Sequence, residues 1–381
     1  MPVWPDGNKL SGLERFEKRY RNNFHASATF PLVFQPFIYS SSIDPVFCLY
    51  YFTGMSSNVQ WGIIATGDIA HTFASQFSRV PGATLLGVGS RSAQRAEEFA
   101  RTYGIPRSYG SYRALVDDPA IDAVYIATPH NLHYENTLMA LEAGKAVLCE
   151  KPFALNAVQA REMVNRAREK NLFCMEAMWA RFNPAFEKAL ELLEEHALGT
   201  ITDVHADFSI YIPYDPVRRW YNPELGGGSL LDVGVYPLWL SHRLLGMPKN
   251  IHSSMAFASN GVDEKDAIIC EYAGGAGAVL TSGFRGVGDR TACITGTKAS
   301  LIFHSCWHRA TKLTLHPRNG KDQTFSFSPQ SQGLHNETRH VTECLVGGKK
   351  ESDAVSFAST IEIMEMMDSV RARHNLRYPG K

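Results

Sequence analysis

From residue 59 onward the chain alternates short, largely apolar runs with amphipathic stretches, and this alternation constrains the fold more than any other feature. Apolar runs at 59–65, 83–89, 122–128, 146–150 and 172–177 predict strands, and the stretches at 69–80, 93–103, 133–143 and 156–170 predict helices. Strands that are apolar on both faces and separated by helices belong to a parallel sheet covered on each side. Right-handed crossovers then wind such a segment into an α/β domain. Asn183-Pro184 predicts one more helix, reaching residue 199, because Asn caps free N–H groups and proline fits a first helical turn. Beyond residue 200 the character changes. Runs at 201–211, 251–259, 267–272, 278–284, 291–304, 313–316 and 324–327 are β-patterned, with one helical stretch at 229–245 among them and two more, at 334–346 and 356–374, closing the chain. Consecutive strands without intervening helices predict an α+β domain with a large, mostly antiparallel open sheet.

Composition excludes several partner classes. Lys plus Arg and Asp plus Glu are both 38, so the formal net charge is zero, and nothing in that balance draws the chain to nucleic acid or to an anionic membrane. Residues 26–52 are largely apolar, but their longest unbroken apolar run, 46–52, is far shorter than the ~20 residues of a membrane helix. Residues 1–54 read as an extension outside the folded domains. The seven cysteines are scattered, odd in number and never spaced C-x-x-C, which argues against a disulfide framework or zinc ribbon and fits a reducing, cytoplasmic compartment. His304, Cys306 and His308 lie close together, but in a β-patterned run alternation alone places three such residues on one face, so no metal site is read from them.

Four motifs carry chemistry. Ala65-Thr66-Gly67-Asp68-Ile69-Ala70 joins the first strand to the first helix. A dinucleotide pyrophosphate sits against such a helix N-terminus, where Gly67 permits close backbone approach. Only the middle glycine of the G-x-G-x-x-G pattern is kept, with Ala65 and Ala70 in the flanking places. The second strand ends at Ser90-Arg91-Ser92, where no acidic residue stands to bind a ribose 2′-hydroxyl. Ser90, Arg91 and Arg95 suit a 2′-phosphate instead, which predicts NADP as cofactor. Cys149-Glu150-Lys151-Pro152 ends a later parallel strand, which aims Lys151 into the cleft at the strand C-termini. In Gly226-Gly227-Gly228-Ser229-Leu230-Leu231-Asp232, with Tyr236 four residues on, the glycines are expected to let the backbone pass close to a ligand. Asp232 and Tyr236 then share a helix face turned to the cleft.

With these motifs together, the chain resembles the Gfo/Idh/MocA oxidoreductase family over about residues 59–380, through A-T-P-H-N-L-H (127–133), A-G-K-A-V-L-C-E-K-P (143–152) and G-G-G-S-L-L-D-V-G-V-Y (226–236). Glu176, Trp179, Arg181, Phe182 and Tyr236 look most like its dimeric dihydrodiol dehydrogenase and NADP-linked D-xylose 1-dehydrogenase branch, since many relatives carry His in place of Tyr236. The resemblance implies a Rossmann NADP-binding domain at 59–178 and a substrate and dimerisation domain at 179–381, after an extension at 1–58. It implies that Lys151, Asp232 and Tyr236 are catalytic, that Lys151-Pro152 is a cis bond, and that Gly67, Asp68, Ile69, Thr128, Pro129, His130, His133 and Glu150 line the cofactor site. Trp179, Arg181 and Phe182 would shape the substrate pocket.

A neighbouring ammonium favours phenolate, so Lys151 is expected to lower the Tyr236 pKa from its usual ~10. The implied reaction is oxidation of a hydroxyl on an aldose such as D-xylose, or on a trans-dihydrodiol, by hydride transfer to NADP⁺. An NAD(P)-dependent glycoside hydrolase of the same fold and a non-catalytic NADP sensor remain as alternatives. An open antiparallel sheet needs covering, which predicts a homodimer.

Overall fold

The computed structural model describes residues 58–379, so all but the last residue of the expected N-terminal extension lies outside the described residues. The first sheet is built from β1 (Val59–Ile64), β2 (Ala83–Gly89), β3 (Arg107–Tyr109), β4 (Ala123–Ile126), β5 (Ala146–Glu150) and β6 (Cys174–Ala177). Its order is β3-β2-β1-β4-β5-β6, and every neighbouring pair is parallel. This is the doubly wound Rossmann order, whose crevice opens where the chain reverses direction between β1 and β4. Trp61, Ile63 and Ile64 of β1 and all four residues of β4 are buried, as expected of strands covered on both faces.

The helices that cover this sheet are α1 (Asp68–Gln76), α2 (Ala93–Tyr103), α3 (Tyr112–Val116), α4 (His133–Glu142) and α5 (Ala157–Glu169), and α6 (Pro184–Glu194) follows β6 and packs on the second sheet. The expected Asn caps form: the side chain of Asn156 accepts from Gln159 N–H, and that of Asn183 from Ala185 N–H. Neither β3 nor α3 stands out in the sequence, because 104–121 has no apolar run or long helical period.

The second sheet has eight strands: β7 (Ile201–Ser209), β8 (Asn250–Phe257), β9 (Asp263–Glu271), β10 (Gly277–Gly283), β11 (Ala292–Gly296), β12 (Ala299–Phe303), β13 (Lys312–Pro317) and β14 (Gln323–Ser326). Their order is β14-β13-β12-β11-β7-β10-β9-β8, antiparallel throughout except for the β7–β10 pair. The run expected as one strand at 291–304 is a hairpin. Thr297 N–H donates to Thr200 O and Lys298 N–H to Leu198 O (3.0 and 2.9 Å), which turns the chain between β11 and β12. Along β7, Val204, Ala206 and Phe208 point inward against α7 (Val235–Leu245). On the outer face Val279 and Ile269 pair in register and stay 43% and 51% exposed. α8 (Leu334–Val346) and α9 (Phe357–Arg373) complete the chain, α9 packing on α5 and α7.

His304, Cys306 and His308 do not share a strand face, contrary to the sequence expectation. β12 stops at Phe303, Cys306 adopts a positive φ of 62°, and His308 sits in the short 3₁₀ turn Trp307–Arg309. All six cysteines among the described residues are unpaired. Among those residues no helix is long and apolar enough to cross a membrane.

Candidate active site

The C-terminal ends of β1, β2, β4 and β5 open onto two adjoining cavities. The larger, of about 410 Å³, is lined by the predicted Gly67, Asp68, Ile69, Thr128, Pro129, His130, His133, Glu150, Lys151 and Asp232, together with the unpredicted Thr72, Ala127, Arg219 and Leu225. The second, of about 330 Å³, brings together Ser90, Arg91 and Arg95, and adds Tyr112 from α3. Gly67, Ala127 and Pro129 line both, so the two are continuous.

At the turn after β1, Ala65 has a φ of 91°. This is a left-handed conformation that glycine adopts freely and that costs alanine about 1 kcal/mol. Gly67, by contrast, has an ordinary φ of −84°, and a Cβ added there would meet no atom within 4 Å. Neither backbone nor packing requires glycine at 67. Its missing side chain leaves open the space where the cavities meet, against the uncapped start of α1. That space could hold the pyrophosphate of a dinucleotide, and Ser90, Arg91 and Arg95 line the adjoining cavity.

Lys151 and Asp232 meet at the inner end. The Lys151 ammonium donates to the Asp232 carbonyl oxygen at 2.6 Å and to its Oδ1 at 3.3 Å. Arg219 Nη1 donates to the same Oδ1 at 3.0 Å. Burial alone would push the Asp232 carboxyl upward, but the charges of Lys151 and Arg219 hold it well below the usual carboxylate range. His130 Nδ1 lies 2.8 Å from the Gly226 carbonyl, which only accepts, so this nitrogen carries the proton. Burial lowers the His130 pKa to about 3, and the unprotonated Nε2 faces Asp232 Oδ1 at 3.7 Å. His133 sits between the carbonyls of Pro152 and Thr128 (2.8 and 2.9 Å), tying together the turns after β4 and β5. The Lys151–Pro152 bond is cis. Glu176 secures the following residue by accepting Phe153 N–H at 3.0 Å, and burial pushes its pKa up to about 7. The Glu150 carboxylate accepts from Tyr125 OH and, at 3.2 Å, from Lys151 N–H.

Tyr236 lies beside this cluster. The Lys151 ammonium is 5.0 Å from its ring centroid, and the phenol oxygen accepts a 2.7 Å hydrogen bond from Trp179 Nε1. Its pKa is not lowered as the sequence led one to expect. Burial raises it well above the ordinary value, and Glu150 and Asp232 add to the rise while the Trp179 hydrogen bond opposes it. The ammonium faces the ring and spends its charge on Asp232, so it does little for the phenol oxygen.

The segment carrying Asp232 differs from the expected plain helix. Residues Leu230–Gly234 form a π-helical turn leading into α7. Two buried carboxyls fix its start. Asp263 accepts Leu230 N–H at 2.6 Å and Ser229 OH at 3.2 Å, while Asp266 accepts from Ser282 OH at 3.1 Å and also from Ser229. Burial raises both, Asp263 to about 6 and Asp266 well above its usual value with Asp263 adding to it, so the pair holds a proton. The three glycines approach protein rather than ligand. A Cβ at Gly227 would strike the carbonyls of Arg219, Trp220 and Asn222 at 2.8 Å, and one at Gly228 (φ 134°) would collide with Asp263.

None of the residues expected in the substrate pocket, Trp179, Arg181 and Phe182, lines either cavity, and neither does Tyr236; Trp179 reaches Tyr236 through its indole N–H. Arg181 pairs with Glu187 at 2.5 Å and lies over the rings of Phe182 and Phe186. Arg219 and Tyr112 escaped the sequence reading. The only trace of the former is the Arg218-Arg219-Trp220 cluster in an unpatterned loop before the glycines.

A doubly wound sheet with an open dinucleotide cradle, and a lysine and an aspartate at its inner end, defines an oxidoreductase site. Residues 59–178 match the family described as "Oxidoreductase family, NAD-binding Rossmann fold", and residues 186–302 match the "GFO/IDH/MocA C-terminal domain". The chain belongs to the Gfo/Idh/MocA family of NAD(P)-binding oxidoreductases. Trans-1,2-dihydrobenzene-1,2-diol dehydrogenase from Xenopus laevis is 35% identical over 332 residues, 84% of this chain and 99% of that protein. The mouse protein of the same name is 35% identical over 333 residues, 84% of this chain and 98% of its own. The fold is shared with aldose-aldose oxidoreductase from Caulobacter crescentus (TM-score 0.75, 23% identity, covering 84% of this chain and 98% of that one). A 3-ketoreductase from Actinomadura kijaniata, solved with NADP and TDP-benzene, is also similar (TM-score 0.74, 24% identity, 82% and 97% covered).

Proposed function

We propose that this protein is an NADP-dependent dehydrogenase that oxidises a hydroxyl on an aldose such as D-xylose or on a trans-dihydrodiol. The observation that carries the reading is the Lys151 ammonium, which binds Asp232 at the inner end of the cofactor-shaped cavity and lies 5.0 Å from the Tyr236 ring. Bound in the two cavities, NADP⁺ would supply the hydride acceptor, with Arg91, Arg95 and Ser90 at its 2′-phosphate. Asp232 orients the substrate hydroxyl as an acceptor, and Lys151 donates to the oxygen as it becomes a carbonyl. Tyr236 Oη exchanges the hydroxyl proton. Because burial keeps this phenol protonated at neutral pH, it is ready to donate in carbonyl reduction. It must lose its own proton before accepting one in oxidation, so the oxidative rate is expected to rise with pH.

Relatives named as dihydrodiol dehydrogenases support the choice of substrate class. The half-exposed Ile269 and Val279 on the outer sheet face support a homodimer. The test is purified protein mixed with NADP⁺ and a panel of aldoses, trans-diols and aryl glycosides, followed by absorbance of the reduced cofactor and assay of released sugar. Net reduction supports the dehydrogenase. Sugar release without net reduction would identify a glycoside hydrolase, and NADP binding with neither would identify a sensor.

A further inference from the structure

Arg219 enters the larger cavity from the irregular loop before the glycines, and its partner is the carboxylate proposed to orient the substrate. The loop is firmly held. Gly227 N–H donates to Asn222 O and Gly228 N–H to Trp220 O, each at 2.9 Å. Asn260 Nδ2 donates to Tyr221 O at 2.6 Å, and Tyr221 OH to Ile212 O at 3.2 Å. The guanidinium lies over the Trp220 ring, 4.8 Å from its centroid, with its side chain 46% exposed.

The two cations at Asp232 are not equivalent. Arg219 Nη1 reaches Oδ1 at 3.0 Å, closer than Lys151 Nζ at 3.3 Å. The shorter bond of Lys151, at 2.6 Å, goes to the neutral Asp232 carbonyl. Other groups around this carboxylate bring no positive charge. His130 turns an unprotonated Nε2 toward Oδ1, Glu150 lines the same cavity as a carboxyl group, and Tyr236 keeps its proton. A buried carboxylate is strongly destabilised as its counter-ions are removed. Without Arg219 it would draw the Lys151 ammonium closer or take up a proton. An ammonium has three N–H donors, and each one drawn to Asp232 is lost to a substrate oxygen.

We infer that Arg219 is a positioning residue: it takes up part of the Asp232 charge, so that Asp232 stays ready to accept the substrate hydroxyl and Lys151 keeps a donor for the reacting oxygen. This inference rests on the dehydrogenase reading and adds to it a residue that acts through Asp232. Arg219 helps to hold the Asp232 carboxyl low. Its removal lets that carboxyl rise toward the ordinary range, so the ionised form that accepts a hydroxyl is lost earlier as pH falls.

The test is the steady-state kinetics of wild type, Arg219→Gln and Arg219→Lys between pH 5 and pH 8, with D-xylose and with trans-1,2-cyclohexanediol, NADP⁺ saturating and its affinity measured by calorimetry. For a half-exposed hydrogen bond to a charged partner, Arg219→Gln should lower kcat/KM about tenfold at pH 8. The ratio of this variant to wild type should fall further toward pH 5. Arg219→Lys, which keeps the charge, should recover most of the loss, and NADP⁺ affinity should hold in both variants. A ratio for Arg219→Gln that does not change with pH, or a lysine variant as impaired as the glutamine one, would overturn the inference while leaving the dehydrogenase standing. So would a loss of NADP⁺ affinity that matches the loss of kcat/KM, which would make Arg219 a cofactor ligand. A wild type that oxidises neither substrate would overturn both readings. If Arg219→Gln fails to fold, Arg219→Met, which keeps an unbranched stem over Trp220 without the charge, provides the same comparison.

Discussion

Arg91 allows the cofactor assignment to be tested in isolation, because it stands in the smaller cavity, well away from Lys151 and Tyr236. It is exposed and shares that cavity with Ser90, Arg95 and Tyr112. The Tyr112 hydroxyl, whose pKa burial raises, is hydrogen-bonded to Arg91, so the guanidinium is partly fixed before any ligand arrives. A hydrogen bond to a charged partner contributes about 1.5–3 kcal/mol. Exposure to solvent and the remaining charge of Arg95 place Arg91→Ala toward the lower end of that range. At about 1.4 kcal/mol per decade, the variant should bind NADP⁺ roughly ten- to thirtyfold more weakly. NAD⁺ presents only a 2′-hydroxyl at this position and should lose a few-fold at most. Calorimetric titration with each cofactor, repeated at higher salt, measures the difference directly, and salt should shrink the effect for NADP⁺. Equal weakening of both cofactors, or no change for NADP⁺, would refute the reasoning.

Two further predictions concern the groups that shape the site. Asp263 and Asp266 have folded-state pKa values above their unfolded ones, so the native state binds their protons more tightly and stability falls as pH rises from about 4 through 6 and beyond. Asp266→Asn removes one of these groups, and its melting temperature relative to wild type should climb between pH 5 and pH 8; a constant difference would contradict the assignment. Gly67→Val should lower stability by only about 1 kcal/mol, the lost N-cap preference of glycine, since a Cβ there meets no atom within 4 Å. It should nevertheless weaken NADP⁺ binding by more than about tenfold, one decade being about 1.4 kcal/mol, and a variant that binds normally would show that the cofactor does not pass Gly67.

The parallel sheet, β3 apart, was legible because its strands are largely apolar, as in β4, and are separated by amphipathic stretches. Asn156 and Asn183 marked helix starts for the same local reason, since a cap depends only on residues nearby. Features set by distant contacts were harder to read. The β11–β12 turn lies inside an unbroken β-patterned run and is held by the carbonyls of Leu198 and Thr200 about a hundred residues earlier. The Gly226–Gly228 run looked like a ligand turn, but its neighbours are Asp263 and the 219–222 backbone, which only the fold brings near. Arg219 reaches the site from an irregular segment that has no period to follow. The Tyr236 pKa illustrates the same limit in electrostatics. Proximity to Lys151 was foreseeable, but burial and the competing carboxylates were not.

The central claim, that Tyr236 exchanges a proton with the substrate beside Lys151, is tested most directly by the steady-state kinetics of Tyr236→Phe, with NADP⁺ affinity measured alongside. The ring and its packing on Phe208 are retained while Oη alone is lost. The account predicts a fall in kcat of about 10²–10⁴, the usual worth of a positioned acid–base group, with NADP⁺ affinity preserved. A variant that turns over at the wild-type rate would remove Tyr236 from the chemistry and contradict the account.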